Sequence, residues 1–326
     1  MLRPTLPGQI GDAVPPMAGG CVGPLNLVNL PALMKLSEGR PEITIGLIDG
    51  PVARDHPDLA GGRIREIPGA GASACVVNTS AACRHGTFVA GILAARRGCA
   101  APAICPGCTL LVRPIFSEAA GPGGLPSASP QDLAEAIIAC IDAGARVLNI
   151  SAAITQPVAR GERALKEALG EAARHGVIVV AAAGNQGSLG CTAITGDSWV
   201  IPVVAYEAAD RPLGQSNLGA SIGRNGIGAP GARITSLGAG GKPVTGGGKH
   251  RSLRPPANTP RPACGAAGAS DEGLLRNCPR SVSATPAAAE AMSRTAFCAA
   301  TGGAGGMGAF RRTATGSASR RARNSR

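Results

Sequence analysis

The sequence predicts an α/β domain of three layers, with a mostly parallel central sheet between helices. Three observations predict it. Apolar runs at residues 43–48, 109–113, 145–150, 177–183 and 200–205 are nearly continuous rather than alternating, as in strands covered on both faces. Amphipathic stretches lie between them, and strand–helix alternation implies right-handed crossovers onto a parallel sheet. The 326 residues suffice for one large domain or two small ones.

Each element carries its own signal. The first strand, Ile43-Thr44-Ile45-Gly46-Leu47-Ile48, runs straight into Asp49-Gly50-Pro51-Val52. A helix is expected over 86–97, opened by His85 and stopped by Gly98. Ser129-Pro130-Gln131-Asp132 is a helix start with Pro at the first helical position, and Leu133, Ile137, Cys140 and Ile141 mark one face. Residues 162–175 place Leu165, Ala168, Leu169 and Ala172 at helical spacing and stop at Gly176. Residues 60–84 and 114–130 read as long loops, suited to border a cleft. No internal repeat is visible.

Charge divides the chain in two. Residues 1–248 hold 19 Lys+Arg against 17 Asp+Glu, a net +2, whereas residues 249–326 hold 13 against 3, a net +10. The body therefore carries no nucleic-acid signal despite a pI of 9.7. The tail has Leu253, Leu274, Leu275 and Val282 as its only Val, Leu or Ile residues. That is too little apolar surface to offset ordering entropy of about 1–2 kcal/mol per residue, so disorder is expected there. The first thirty residues, with five prolines, contain no apolar signal core, and no run approaches a membrane span. Eleven cysteines without such a signal suggest reduced thiols and a cytoplasmic location.

In open parallel sheets, sites form at the carboxyl ends of strands. Asp49 ends one strand, His85 follows 36 residues later, and Asn185 ends the run Val177-Ile178-Val179-Val180-Ala181-Ala182-Ala183-Gly184. Singly, each has an ordinary reading as a turn, a helix start or a Gly-Asn turn. At this spacing the three suit a relay. His85 takes and returns a proton, Asp49 fixes its tautomer, and the Asn185 amide meets a developing oxyanion.

Residues 28–248 resemble the subtilisin-like serine proteases (peptidase S8 family), and within them the proteases of cyanobactin maturation. The resemblance rests on Asp49-Gly50-Pro51-Val52, Arg84-His85-Gly86-Thr87, and Cys105-Pro106-Gly107-Cys108 leading into Pro114-Ile115-Phe116. It rests further on Leu148-Asn149-Ile150-Ser151 and on Gly228-Ala229-Pro230-Gly231 with Ile234-Thr235-Ser236. It implies a serine endopeptidase on peptide or protein substrates, with Asp49 and His85 catalytic, Asn185 in the oxyanion hole, and the Ser151 strand as one wall of the substrate groove. Ser151-Ala152-Ala153 departs from the family's usual Ser-Leu/Gly-Gly. No cofactor or catalytic metal is implied, and a structural calcium site is not legible.

The resemblance also demands a Gly-Thr-Ser-x-Ala-Ala-Pro block opening a buried helix. The chain reaches Thr245-Gly246-Gly247-Gly248 and then reads Lys249-His250-Arg251-Ser252-Leu253-Arg254-Pro255. Codons AAA-CAT-CGN-TCG-CTG-CGC-CCN fit those seven residues. Started at the third nucleotide, they give Thr-Ser-x-Ala-Ala-Pro. The sequence is thus compatible with residues 249–326 being out of frame, from a frameshifted gene or a sequencing error, which leaves the fold incomplete at its C-terminal part. As written, Ser252 is the nearest hydroxyl, a weak nucleophile candidate without the block's context. The expected organisation is an extension at 1–27, a peptidase domain at 28–248 and a basic tail at 249–326.

Smaller constellations remain open. Cys105 and Cys108, with Cys99 near, read first as loop thiols, with zinc or a local disulfide as alternatives. His56 reads as structural, and His175 as a charge complement at a helix end. Trp199 and Tyr206 are too few for a base-stacking platform, so nucleic acid would meet only the tail, and nonspecifically. Three readings follow: an endopeptidase that has lost its serine, an inactive peptide- or partner-binding module of the same fold, and a basic-tailed nucleic-acid associate.

Overall fold

A computed structural model of the chain describes residues 2–4, 11–12, 23–69, 74–118, 126–154, 162–207 and 211–246. The basic tail, including Ser252, lies outside the described residues. In chain order the elements are β1 (Leu2–Pro4), β2 (Gly11–Asp12), α1 (Pro24–Leu27), α2 (Leu30–Leu36), β3 (Thr44–Asp49), β4 (Arg63–Glu66), α3 (Ala81–Ala94), β5 (Thr109–Pro114) and α4 (Pro130–Asp142). There follow β6 (Val147–Ile150), β7 (Ala152–Ile154), α5 (Glu162–Arg174), β8 (Ile178–Ala182), β9 (Val200–Tyr206), α6 (Ala220–Asn225), β10 (Ile227–Pro230), β11 (Ile234–Leu237) and β12 (Pro243–Gly246).

Seven strands form the central sheet in the order β10-β9-β8-β6-β3-β5-β4, every pairing parallel. All five expected strands are in it. The expected loop over 60–84 instead contains β4, which pairs at the edge with β5. Its Arg-Ile-Arg-Glu sequence offers one apolar residue, and its solvent side needs no more.

The two faces of the sheet are covered unequally. On one face, α4 and α5 bury Leu133, Ile137, Leu165 and Leu169 against Ile48, Leu148, Val179 and Ala181. The start of α4 follows its signal: Ser129 accepts from the Asp132 N–H, and the Asp132 carboxylate accepts from the Ser129 N–H. On the other face, α3 covers Ile45, Leu47, Leu110 and Val112 with Ala90 and Ala94. It does not reach across β8 and β9. There Val180, Ala182, Ile201, Val203 and Ala205 are only half-buried, whereas their neighbours Val179, Ala181, Val200 and Val204 are fully buried. A parallel strand normally hides both faces. Among the described residues, this half of the sheet has a covering layer on one face only.

Helix α3 begins earlier than the sequence suggested. His85 sits inside it rather than at its opening, because the Ser80 side chain accepts from the Cys83 N–H at 3.1 Å and caps the helix upstream. The helix also ends at Ala94, ahead of Gly98.

Candidate active site

Asp49 is the last residue of β3, the strand flanked by β5 and β6 in the middle of the sheet. Its side chain is fully buried, and Oδ1 accepts from the Gly50 N–H at 2.6 Å. The same oxygen receives His85 Nδ1 at 2.7 Å. A carboxylate can only accept, so Nδ1 carries the proton and Nε2 becomes the basic nitrogen. His85 is 2% exposed. The pair is therefore buried, charge-assisted and short. The other carboxylate oxygen, Oδ2, is buried with no hydrogen-bond partner.

Two glycines make this contact. A Cβ on Gly50 would lie 2.1 Å from the Ala82 carbonyl oxygen, and one on Gly86 would lie 2.4 Å from the Gly50 carbonyl oxygen. The end of β3 and the second turn of α3 thus touch backbone to backbone, at a separation no side chain at either position allows. Thr87 adds a tie, its Oγ1 accepting from the Ala53 N–H at 2.9 Å. From the far side, Ser236 of β11 donates to the Phe88 carbonyl at 2.7 Å.

His85 faces a cleft of about 290 Å³ that lies over the bare half of the sheet. Asn149, Ser151 and Asn185 line the same cleft, so the structure brings the expected site residues to one place, with Asp49 behind His85. Asn149 Nδ2 donates to Ser151 Oγ at 2.8 Å, which holds the end of β6. Most of the remaining lining is apolar, including Phe88, Val89 and Ile92 from α3 and Val180, Ala182 and Val203 from the sheet, with Gln215 as a further polar group.

One functional residue was not legible in the sequence. Asn217, 5% exposed, clamps the turn that carries Asn185. Its Oδ1 accepts from the N–H groups of Gln186 (3.0 Å) and Ser188 (3.1 Å). Its Nδ2 donates to the Ala183 carbonyl (3.2 Å) and to Gln186 Oε1 (2.7 Å). Gly184 sits beneath it at φ +112°, where a Cβ would be 2.3 Å from Asn217 Nδ2. A lone Asn more than thirty positions downstream gives no local signal of such a clamp.

The cysteines divide. Cys75 and Cys83 are joined in a disulfide, contrary to the expectation of reduced thiols throughout. It ties the loop before α3 to its first turn, and Glu118 fastens the same loop by accepting from the Val76 and Val77 N–H groups. With Glu118 these two cysteines form the one group among the described residues with three close metal-donor side chains, and the disulfide uses both sulfurs. Cys105 and Cys108 are buried thiols outside any disulfide. A hydrogen bond to Cys108, reinforced by burial, holds the Cys105 pKa well above the usual thiol range. Burial pushes Cys140, on the buried face of α4, up to about 12.

The bystanders behave as expected from their positions. His56 is buried, and its Nδ1 accepts from the Asp58 N–H at 3.1 Å within a turn. His175 follows α5 and meets Glu171 at 2.8 Å. Trp199 donates to the Val177 carbonyl at 2.7 Å. No helix among the described residues is long and apolar enough to cross a membrane.

Comparison with known proteins agrees with this fold. Fervidolysin of Fervidobacterium pennivorans is 31% identical over 207 residues, which is 60% of this chain but only 28% of that protein's length. A solved point mutant of the protease domain of PatA superposes with a TM-score of 0.60 at 30% identity, covering 64% of this chain and 74% of that one. The prenylagaramide maturation protease PagA superposes with a TM-score of 0.59 at 26% identity, covering 67% and 73%. The Subtilase family profile (Peptidase_S8) matches residues 40–293, from just ahead of β3 to beyond Gly248. That span is most of the chain, and the chain belongs to the subtilase family.

Proposed function

We propose that this chain carries the acid, base and oxyanion groups of a serine endopeptidase, with the nucleophile block lost from the sequence as written. The observation that carries the proposal is the buried Asp49–His85 hydrogen bond, whose imidazole opens onto the cleft that Asn185 also lines. In this reading His85 Nε2 takes the proton of a serine hydroxyl as it attacks a peptide carbonyl, then returns it to the leaving amine. Asp49 holds the tautomer and stabilises the imidazolium. The Asn185 amide donates to the carbonyl oxygen as it becomes negative, an effect of about 10²–10³ in rate. Likeness to PatA and PagA supports a precursor peptide as the substrate class.

The bare half of the sheet supports the loss of a block. The chain leaves the described structure at Gly246, which pairs with the cleft-lining Ile234. A helix following directly would lie over Val180 and Val203, with its first turn beside His85. The residues written after Gly248 are basic and poor in aliphatics, and suit no such seat. A second reading is an inactive peptide- or partner-binding module; it is favoured by β7, which starts right after the cleft-lining Ser151 and pairs antiparallel with the extended segment Leu2–Pro4.

A fluorophosphonate probe separates the two. The chain as written should not label, whereas a chain in which the Thr-Ser-x-Ala-Ala-Pro frame is restored after Gly248 should label at that serine. Without a serine only the residual rate of binding and oxyanion stabilisation remains, roughly 10⁶-fold below an intact triad. A restored chain that folds and does not label rules out the endopeptidase reading.

A further inference from the structure

A side-chain cluster outside the cleft carries the donors of a metal site. The sulfurs of Cys75 and Cys83 and a carboxylate oxygen of Glu118 lie within 4.8 Å of one another. The two cysteines form a disulfide with their Cα atoms 5.4 Å apart. It joins the loop ahead of α3 to the first turn of that helix, two positions before His85. Cys83 is fully buried, whereas Cys75 and Glu118 are partly exposed.

Glu118 is held in place by the loop it faces. Its Oε2 accepts from the Val76 N–H at 3.1 Å, and its Oε1 accepts from the Val77 N–H at 2.9 Å and from the Ser80 hydroxyl at 3.2 Å. The Ser80 oxygen in turn accepts from the Cys83 N–H at 3.1 Å. A carboxylate offers about four lone-pair sites. Three are taken, which leaves one for a metal and fixes its direction. Cys83 sits in the first turn of α3, where the helix dipole favours a negative thiolate.

A disulfide persists only in an oxidising compartment. A dithiol reductant opens it by exchange: two electrons and two protons pass to the sulfurs, and the reductant becomes a disulfide. We propose that the reduced pair binds a thiophilic divalent cation, zinc by its donor chemistry, through Cys75, Cys83 and Glu118, so that a metal clip replaces the covalent one on the loop ahead of α3. Each thiol gives its proton to solvent as its sulfur takes the metal. Tetrahedral zinc spaces sulfur and oxygen donors about 3.6–3.8 Å apart, and water completes the fourth position beside the partly exposed Cys75 and Glu118. The cluster is tight enough that side-chain rotation at Cys75 suffices to reach this spacing. Two thiolates against one carboxylate select zinc over magnesium or calcium, which take oxygen donors. The inference does not depend on how the cleft is read.

The test uses the full chain, reduced with a phosphine and titrated with Co²⁺ alone in the absence of oxygen. The reduced chain should bind a single Co²⁺ more than the unreduced chain, with an added thiolate-to-cobalt charge-transfer band that Zn²⁺ then abolishes. Cys75→Ser should remove that increment. Glu118→Gln should weaken it at least about tenfold, since losing even a group behind a ligand costs that much. A chain with Cys105→Ala and Cys108→Ala should keep it. Circular dichroism checks that each variant folds. If Glu118→Gln does not, the Cys75→Ser comparison decides alone. No increment on reduction, or one that Cys75→Ser or a folded Glu118→Gln leaves unchanged, overturns the inference.

Discussion

The α3-side face of the sheet has two halves that differ in how complete they are. Under α3, Leu47 and Val112 are sealed and the Asp49–His85 pair is fully assembled. Over β8 and β9, Val180, Ala182 and Val203 stay half-buried and line an open cleft. The same strand chemistry, continuous apolar runs, produced both halves. What differs is the layer above. The assembled half is built from segments brought together by Gly50 and Gly86, all of them upstream of Gly246. In the proposed reading, the imidazole and its orienting carboxylate are thus held by residues upstream of Gly246.

That difference can be broken by substitution. Leu47→Ala, under α3, should cost about 2–5 kcal/mol, the usual range for a large-to-small change in a sealed core. Val203→Ala on the bare half should cost less than about 1 kcal/mol, since solvent already reaches one side. Urea unfolding of both variants measures this, and equal costs would mean the bare half is covered in solution.

The assembled half ends where Asn185 begins, and Asn217 holds that junction. Asn217→Ala leaves the Gln186 and Ser188 N–H groups without their acceptor. The expected cost is about 1–3 kcal/mol, together with a more mobile Asn185 turn. Hydrogen exchange at residues 185–188 should rise while exchange in β3 stays unchanged.

A smaller effect marks the opposite, covered face. Burial raises the Cys140 thiol to about 12, so the folded protein keeps a proton that the unfolded chain gives up near 8.5. Below that pH the thiol contributes no slope. Above it the unfolded state binds fewer protons, and stability falls by up to about 1.4 kcal/mol per pH unit until the folded thiol also ionises. Cys140→Ala should flatten this alkaline slope in denaturation measured between pH 8 and 10, and an unchanged slope would place the thiol in contact with water.

Legibility followed the range of the interactions. Strands β3, β5, β6, β8 and β9 were readable because each is apolar along its own length, and α4 because Ser129, Pro130 and Asp132 form a local cap. The site was readable as three strand- and helix-borne residues at familiar spacing. The start of α3 was misplaced because the local Ser80 cap was passed over for His85, and the Cys75–Cys83 bond that fixes the preceding loop has no local pattern. β4 and β10 were missed because Arg-Ile-Arg-Glu and Ile-Gly-Ala-Pro look like loop. β1 was invisible because Leu-Arg-Pro becomes a strand only where Ala128 and β7 leave a slot for it. Asn217 was missed for the same reason, since its partners lie in another turn.

The account depends most on a proton held between Asp49 and His85. Proton NMR of the chain as written, with histidine nitrogen labelling, observes it directly. The prediction is one strongly deshielded ring N–H that disappears in Asp49→Ala and persists in Asn185→Ala. A spectrum with no such resonance in the folded chain, or one indifferent to Asp49→Ala, would contradict it.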